Sequence, residues 1–251
     1  MLVGVIYIGD RDTGKTSLAM ELAHPNANYV KVISPDYENL KGFLFDQELQ
    51  RTRATDATQA SYKSTLEIQV TLPTGSKQIS LDWIDTPGEI WRKTWQSKNY
   101  DQWKIFLESL RQSEGILLVL PPYRELIKSS NDLDLFITQE QWCNRFNRWV
   151  DFFHQDCPKI RHLALCLNKA DLFCDLQQEA SQLAYIPNRS RMNWQQRHDY
   201  IFQRYFKPIH SQIKEINKKV SGLAVRCFIT SIKNRDLLEL PWIYFGSFLA
   251  K

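Results

Sequence analysis

Eight residues near the N-terminus have the types and spacing of a loop that binds phosphate. Gly9 and Gly14 are separated by four residues, and Lys15 and Thr16 follow directly. Glycine lets backbone amides approach phosphate oxygens closely, and the N-terminus of a following helix favours their negative charge. A lysine at this spacing reaches the β- and γ-phosphates, and the hydroxyl after it ligates Mg²⁺. We therefore predict phosphate contacts from the whole loop and the next hydroxyl: Gly9, Asp10, Arg11, Asp12, Thr13, Gly14, Lys15, Thr16 and Ser17.

The sequence around this loop predicts the strand, loop and helix that such a site needs. Residues 2–8 form an apolar run rich in β-branched side chains, and residues 17–22 favour a helix. Helical patterns alternate with further apolar runs, which predict strands at 29–33, 64–72, 78–84, 115–120, 162–167 and 223–229. A long helix is expected over 193–219 with a break near Pro208, and Pro241 must kink or restart a terminal helix over 236–248. Such alternation predicts a doubly wound α/β sheet that binds ligands at its C-terminal strand ends.

Three more motifs follow predicted strands, namely Asp85-Thr86-Pro87-Gly88, Asn168-Lys169-Ala170-Asp171 and Ser231-Ile232-Lys233. Together with the phosphate loop, this ordered set resembles the Ras-like and translation-factor-related P-loop GTPases across nearly the whole chain. The resemblance implies a three-layer P-loop NTPase fold, the G domain, with a mostly parallel six-stranded sheet that has one antiparallel edge strand. The sequence shows no internal repeat, low-complexity tract or linker, which predicts that 1–251 is a single domain, with insertions at about 25–57 and 174–192.

The second of these motifs indicates which base is bound. Guanine presents an N–H and an amino group on one edge, and an ionised carboxylate can accept both hydrogen bonds. By resemblance, Asp171 is this acceptor, the stem of Lys169 packs over the ring and Asn168 braces the loops. Adenine has no matching pair of donors, so the motif favours GTP over ATP. The resemblance adds Ser231, Ile232 and Lys233 to the base-binding residues, with Ile232 where the family has alanine.

The resemblance also implies a Mg²⁺ ion beside the phosphates. Its expected ligands are Thr16, Asp85, usually through water, and a threonine of the polar segment 50–58. Thr58 fits this last position best by spacing, and Thr55 and Thr52 remain alternatives.

Four residues are predicted to act on the γ-phosphate: Lys15, Arg53, Gly88 and Glu89. The Gly88 amide meets the γ-phosphate by resemblance. Glu89 stands where many family members carry the glutamine that orients the attacking water. An ionised carboxylate there repels the γ-phosphate, so we expect slow intrinsic hydrolysis. Arg53 is either a built-in arginine finger, as in heterotrimeric G-protein α subunits, or a solvated charge on a loop.

The composition restricts the partners. The net charge of +4 comes without a long basic run, so nucleic acid is not expected as a direct ligand. No apolar stretch reaches membrane-spanning length and no lipidation motif is present, which predicts that the protein has no membrane anchor. The five cysteines have no metal-binding spacing and are expected to be reduced thiols of a cytoplasmic protein.

The leading interpretation is a GTP-binding protein that hydrolyses GTP to GDP and phosphate. Loops that sense the γ-phosphate and Mg²⁺ would then switch a protein effector or complex subunit. The alternative is an assembly or adaptor subunit that binds guanine nucleotide with little or no hydrolysis, and Glu89 keeps this alternative open. A kinase or ATPase built on the same loop is disfavoured by the Asn-Lys-Ala-Asp motif.

Overall fold

A computed structural model describes residues 4–10, 12–46, 51–52, 62–85, 93–128, 132–157, 160–220 and 222–249. Its strands are β1 (Gly4–Gly9), β2 (Val30–Ser34), β3 (Phe45–Asp46), β4 (Arg51–Thr52), β5 (Tyr62–Leu72), β6 (Gly75–Asp85), β7 (Gly115–Leu120), β8 (His162–Leu167) and β9 (Ala224–Ile229). Its α-helices are α1 (Lys15–Ala23), α2 (Tyr37–Leu44), α3 (Lys93–Lys98), α4 (Tyr100–Gln112), α5 (Gln139–Asp156), α6 (Leu176–Leu183), α7 (Trp194–Tyr205), α8 (His210–Lys219) and α9 (Arg235–Phe248). Short 3-10 turns lie at Arg124–Leu126, Leu133–Leu135, Ala170–Leu172 and Lys207–Ile209.

A seven-stranded sheet in the order β2-β5-β6-β1-β7-β8-β9 is the centre of the fold. Strands β6, β1, β7, β8 and β9 pair in parallel, and β5 is antiparallel to both of its neighbours, β2 and β6. The predicted class, a mostly parallel sheet of the P-loop NTPase type, is confirmed. The predicted count of six strands is wrong. Because β2 pairs with the outer side of β5, the antiparallel strand is second from the edge and not at the edge.

Helices flank the sheet and bury its central strands. Helix α1 packs against α9, while α5 packs against both α4 and α8. All six residues of β7 are buried, as are the last five of β8. Strands covered on both faces need apolar side chains at every position, which explains why these two read as continuous apolar runs.

Two helix predictions that involve proline have different outcomes. The break expected near Pro208 is confirmed, because α7 ends at Tyr205 and a 3-10 turn leads into α8. Helix α9 does not restart at Pro241 but continues through it. The ten residues from Leu237 to Gly246 are all buried, so packing on all sides holds the helix where one backbone hydrogen bond is missing. Among the described helices, none is long and apolar enough to cross a membrane.

Candidate nucleotide-binding site

The phosphate loop lies between the end of β1 at Gly9 and the start of α1 at Lys15. Gly14 precedes the helix with φ +86°, a left-handed conformation that favours glycine. A Cβ on Gly9 would lie 2.5 Å from the carbonyl oxygen of Val119 in β7. The loop therefore runs too close to its neighbouring strand for a side chain at this position.

The side chain of Lys15 folds back against the backbone of this loop, and the residue is 6% exposed. Its ammonium donates hydrogen bonds to the carbonyl oxygens of Gly9 at 3.1 Å and Asp10 at 2.9 Å. The buried Thr13 hydroxyl also donates to Asp10 O, at 2.9 Å. The ammonium and the positive end of α1 thus face the same small space, an arrangement that attracts an anion.

Two acidic side chains of the loop have different surroundings. Burial raises the pKa of Asp10, although Arg148, Arg145 and Lys15 oppose the shift. Asp12 is exposed and adopts a positive φ of 61°. The backbone carbonyl oxygen of Asp10 also stabilises the loop, since it accepts hydrogen bonds from the Thr13 hydroxyl and the Lys15 ammonium.

Asn168 joins the motif after β8 directly to the phosphate loop. Its Nδ2 donates to the carbonyl oxygen of Thr13 at 2.8 Å, and its Oδ1 accepts from the Thr230 hydroxyl at 3.2 Å. The side chain is 3% exposed, and its Nδ2 lies where a Cβ on Gly14 would approach to 2.6 Å. One amide thus connects the ends of β1, β8 and β9.

Asp171 is held by two donors from the loop after β9. Ser231 Oγ donates to its Oδ1 and Lys233 Nζ lies beside its Oδ2, both at 2.7 Å. Burial by itself raises the pKa of Asp171, but the hydrogen bonds from Lys233 and Ser231 outweigh it and hold the pKa below its usual value. The carboxylate is therefore ionised near neutral pH and is an acceptor for paired N–H donors. Lys169 and Ile232, expected beside the base, are half-buried and 46% exposed respectively.

The residues expected at Mg²⁺ are only partly described. Thr16 is half-buried in the first turn of α1. Tyr7 of β1 is opposite Trp83 of β6, so Asp85 ends β6 level with Gly9. Thr16 supplies a hydroxyl and Asp85 a carboxylate, and both are oxygen ligands of the kind that Mg²⁺ prefers. The described part of the chain holds no cluster of three or more His, Cys, Asp or Glu side chains suited to a metal.

Several predicted residues lie outside the described ranges: Arg11, Arg53, Thr55, Thr58, Gly88 and Glu89. Thr52, the other alternative for the Mg²⁺ threonine, pairs with Phe45 in the small β3–β4 ladder. The roles given to these residues stay predictions.

A family model described as Double-GTPase 1 (DO-GTPase1) matches residues 6–142, more than half of the 251 residues. The chain belongs to this family. It is therefore a P-loop GTPase G domain, as the resemblance implied, and guanine-nucleotide binding is supported at the level of the family. The matched range includes the phosphate loop and Asp85, while the base-reading motif at 168–171 lies beyond it.

Two solved structures are similar to this Double-GTPase 1 chain. The first is the signal recognition particle receptor SRb-GTP/SRX complex from Chaetomium thermophilum, with 15% identity, a TM-score of 0.45 and 98% of each chain covered. The second is Era from Aquifex aeolicus, solved with GDP and AlF4⁻, with 16% identity and a TM-score of 0.46. The match to Era covers 100% of this chain and 58% of that one. A search of curated proteins gives no match.

Two residues that shape the site, Thr230 and Tyr7, were not predicted from the sequence. Thr230 fixes the orientation of Asn168 through its hydroxyl, and the Tyr7 hydroxyl donates to the carbonyl oxygen of Lys15 at 3.0 Å. Each is a polar side chain in or directly after an apolar run that ends at this edge of the sheet. That signal could have marked both, since a buried hydroxyl needs a partner.

Proposed function

We propose that this Double-GTPase 1 chain binds GTP with Mg²⁺, hydrolyses it slowly to GDP and phosphate, and uses the two states to switch a protein partner. The observation that carries the proposal is the Asn168 amide, which connects the phosphate loop to both base-reading segments. The ionised Asp171 beside it supports a choice of guanine. In this proposal residues 1–251 form one G domain.

The described residues have distinct parts in the proposed reaction. The loop amides and Lys15 hold the phosphate charge, and Asp171 orients the base. Thr16 and Asp85 would hold Mg²⁺, which neutralises phosphate charge when bound. Water attacks the γ-phosphorus, the bond to the β–γ bridging oxygen breaks, and GDP and inorganic phosphate leave.

The proposal gives roles to three further residues on the basis of the sequence alone: Gly88, Glu89 and Arg53. The Gly88 amide contacts the γ-phosphate, and Glu89 holds the water while its charge slows attack. Arg53 either offsets this charge or is a solvated loop residue. Arg53→Ala should lower GTP turnover in the first case and leave it unchanged in the second.

Single-turnover cleavage of radiolabelled GTP by freshly purified protein tests the proposal. We expect tight GTP binding that unlabelled ATP does not displace, followed by slow release of phosphate. Lys15→Met should abolish both, while Lys31→Met, which removes an exposed lysine from β2, should change neither. Binding without phosphate release, alone or with candidate partners, would instead favour the adaptor alternative. Equal displacement by ATP would contradict the choice of guanine.

A further inference from the structure

Arg235 connects the loop after β9 to the far end of the phosphate-loop helix. It is the first residue of α9, two positions after Lys233. Its guanidinium donates to the carbonyl oxygens of Glu21 and Leu22 in the last turn of α1, the latter at 2.9 Å. A third hydrogen bond of 2.9 Å reaches Val30 O at the start of β2. Arginine suits this place, since its rigid fork of donors can serve several acceptors at once.

Glu239, one turn further along α9, binds the backbone of residues 28–30, which lead into and begin β2. Its carboxylate is fully buried and accepts from the backbone N–H groups of Asn28 at 3.0 Å, Tyr29 at 2.7 Å and Val30 at 3.1 Å. It also accepts from Arg235 Nε at 2.5 Å. Two side chains of α9 therefore bind backbone groups at the end of α1, at residues 28–29 and at the start of β2.

The position of this pair matters because both nucleotide-facing loops precede helices. The phosphate loop leads into α1, and the loop at 231–233 leads into α9. Arg235 binds carbonyl groups at the C-terminus of α1, where a cation is favoured, and so joins the start of α9 to the end of α1 that is farther from the phosphate loop. We infer that Arg235 and Glu239 are positioning residues that set the spacing between the phosphate loop and the base-reading loop.

This inference rests on the proposed function and gives it a measurable consequence. A ligand that contacts two sites held at a fixed spacing makes the second contact at little entropic cost. When the spacing loosens, the phosphates still bind but the base contacts weaken. Hypoxanthine lacks the amino group of guanine, so the ratio of GTP to ITP affinity reports how well the base is seated against Asp171.

Competition of GTP and ITP against a fluorescent GDP analogue measures this ratio. Arg235→Met should lower GTP affinity about tenfold and bring the ratio towards one, because the two-site advantage is lost. Arg235→Lys keeps the positive charge but lacks the forked guanidinium, so its ratio of GTP to ITP affinity should lie between those of the wild type and Arg235→Met. Glu239→Gln, which replaces one acceptor oxygen by a donor, should act in the same direction.

Arg197 supplies the matched control. Its guanidinium is buried and also donates to three carbonyl oxygens, but all three lie in the 183–192 segment, at Leu183, Ala184 and Met192. Arg197→Met should therefore lower the melting temperature while leaving the GTP to ITP ratio at its wild-type value.

The outcomes separate the inference from the proposed function. If Arg235→Met lowers only the melting temperature and keeps the ratio, as expected for Arg197→Met, the pair is merely structural and the inference is wrong. If Arg235→Met does not fold, Arg235→Lys and Glu239→Gln decide by the same ratio. A wild-type chain that binds neither GTP nor ITP would remove the proposed function and this inference with it. Equal binding of GTP and ITP would contradict the role of Asp171 and this inference, while GTP binding and hydrolysis would stand.

Discussion

Replacing Asp171 by asparagine tests the base-reading site with little effect on the fold. The change removes the ion pair between Asp171, which is 16% exposed, and Lys233, which is 66% exposed. Because water solvates the ammonium end of this pair, its loss costs about 1 kcal/mol of stability. The Ser231 hydroxyl keeps an acceptor, since one asparagine oxygen remains. The melting temperature should therefore hardly move.

Nucleotide affinity should change far more. Each hydrogen bond from guanine to the carboxylate contributes about 1.5–3 kcal/mol because the acceptor is charged. Asparagine keeps one neutral acceptor and turns a donor towards the amino group of guanine. We expect a net loss of about 3 kcal/mol, or roughly a hundredfold in affinity for GTP. Xanthine carries an oxygen in place of that amino group, so the variant should prefer XTP.

The assay displaces a fluorescent GDP analogue with GTP and with XTP and compares the two dissociation constants. Asp175→Asn is the matched control, since it removes the same charge four residues away. Asp175 caps α6 by accepting from two backbone N–H groups at 3.0 Å, and asparagine caps a helix as well as aspartate does. A folded Asp171→Asn variant that keeps the wild-type preference for GTP over XTP would refute the assignment of Asp171.

Three further predictions concern the fold. Gly9→Ala should lower the free energy of unfolding by about 1–3 kcal/mol, because its Cβ would meet a backbone oxygen at 2.5 Å; Gly42→Ala in α2, with nothing within 4 Å, should raise it by about 0.5–1 kcal/mol. Urea titrations of both variants measure the sign of each change. A lower free energy of unfolding in both variants would contradict the explanation by space around the glycine. Thr138→Ala removes the capping box of α5 and should cost about 1 kcal/mol in the same assay, whereas Thr138→Ser should cost little. Burial lowers the pKa of His198 to about 4, and its Nδ1 accepts the backbone N–H of Cys227 at 3.1 Å. The neutral ring is favoured in the fold, so about 3 kcal/mol of stability is present above pH 6.5 and lost as the pH falls towards 4. In His198→Asn, the urea midpoint should depend less on pH between 4 and 6.5. If the midpoint of the variant changes with pH as steeply as that of the wild type, another group is responsible.

The alternation of strands and helices was predictable because the central strands are covered on both faces. Strand β7 is an uninterrupted apolar run, and β8 is one after its first residue, His162. The hairpin of β5 and β6 has a turn at 73–74 that glycine follows at 75. The place of β2 was not predictable in the same way. Its alternating residues indicate a strand, but periodicity does not say which edge a strand joins.

The site was predictable in its motifs and not in its connections. The pattern around Lys15 and the motif ending at Asp171 are local, so their spacing carries the chemistry. The hydrogen bonds from Asn168 to Thr13, and from Arg235 to α1, join residues far apart in sequence. Only packing brings such groups together, and no local pattern encodes it. Pro241 shows the converse, since a strong local signal for a helix break was overridden by burial of α9.

The contact between Gly14 and Asn168 links two positions that no single substitution can vary freely. The Asn168 amide fills the volume that a side chain at position 14 would need. A related chain with alanine at position 14 would need a smaller residue at 168, and would then lose the bridge from Thr13 to Thr230. Because alanine at position 14 would also be strained at φ +86°, making room at 168 does not free position 14. We therefore expect glycine at 14 and asparagine at 168 to be retained together among relatives.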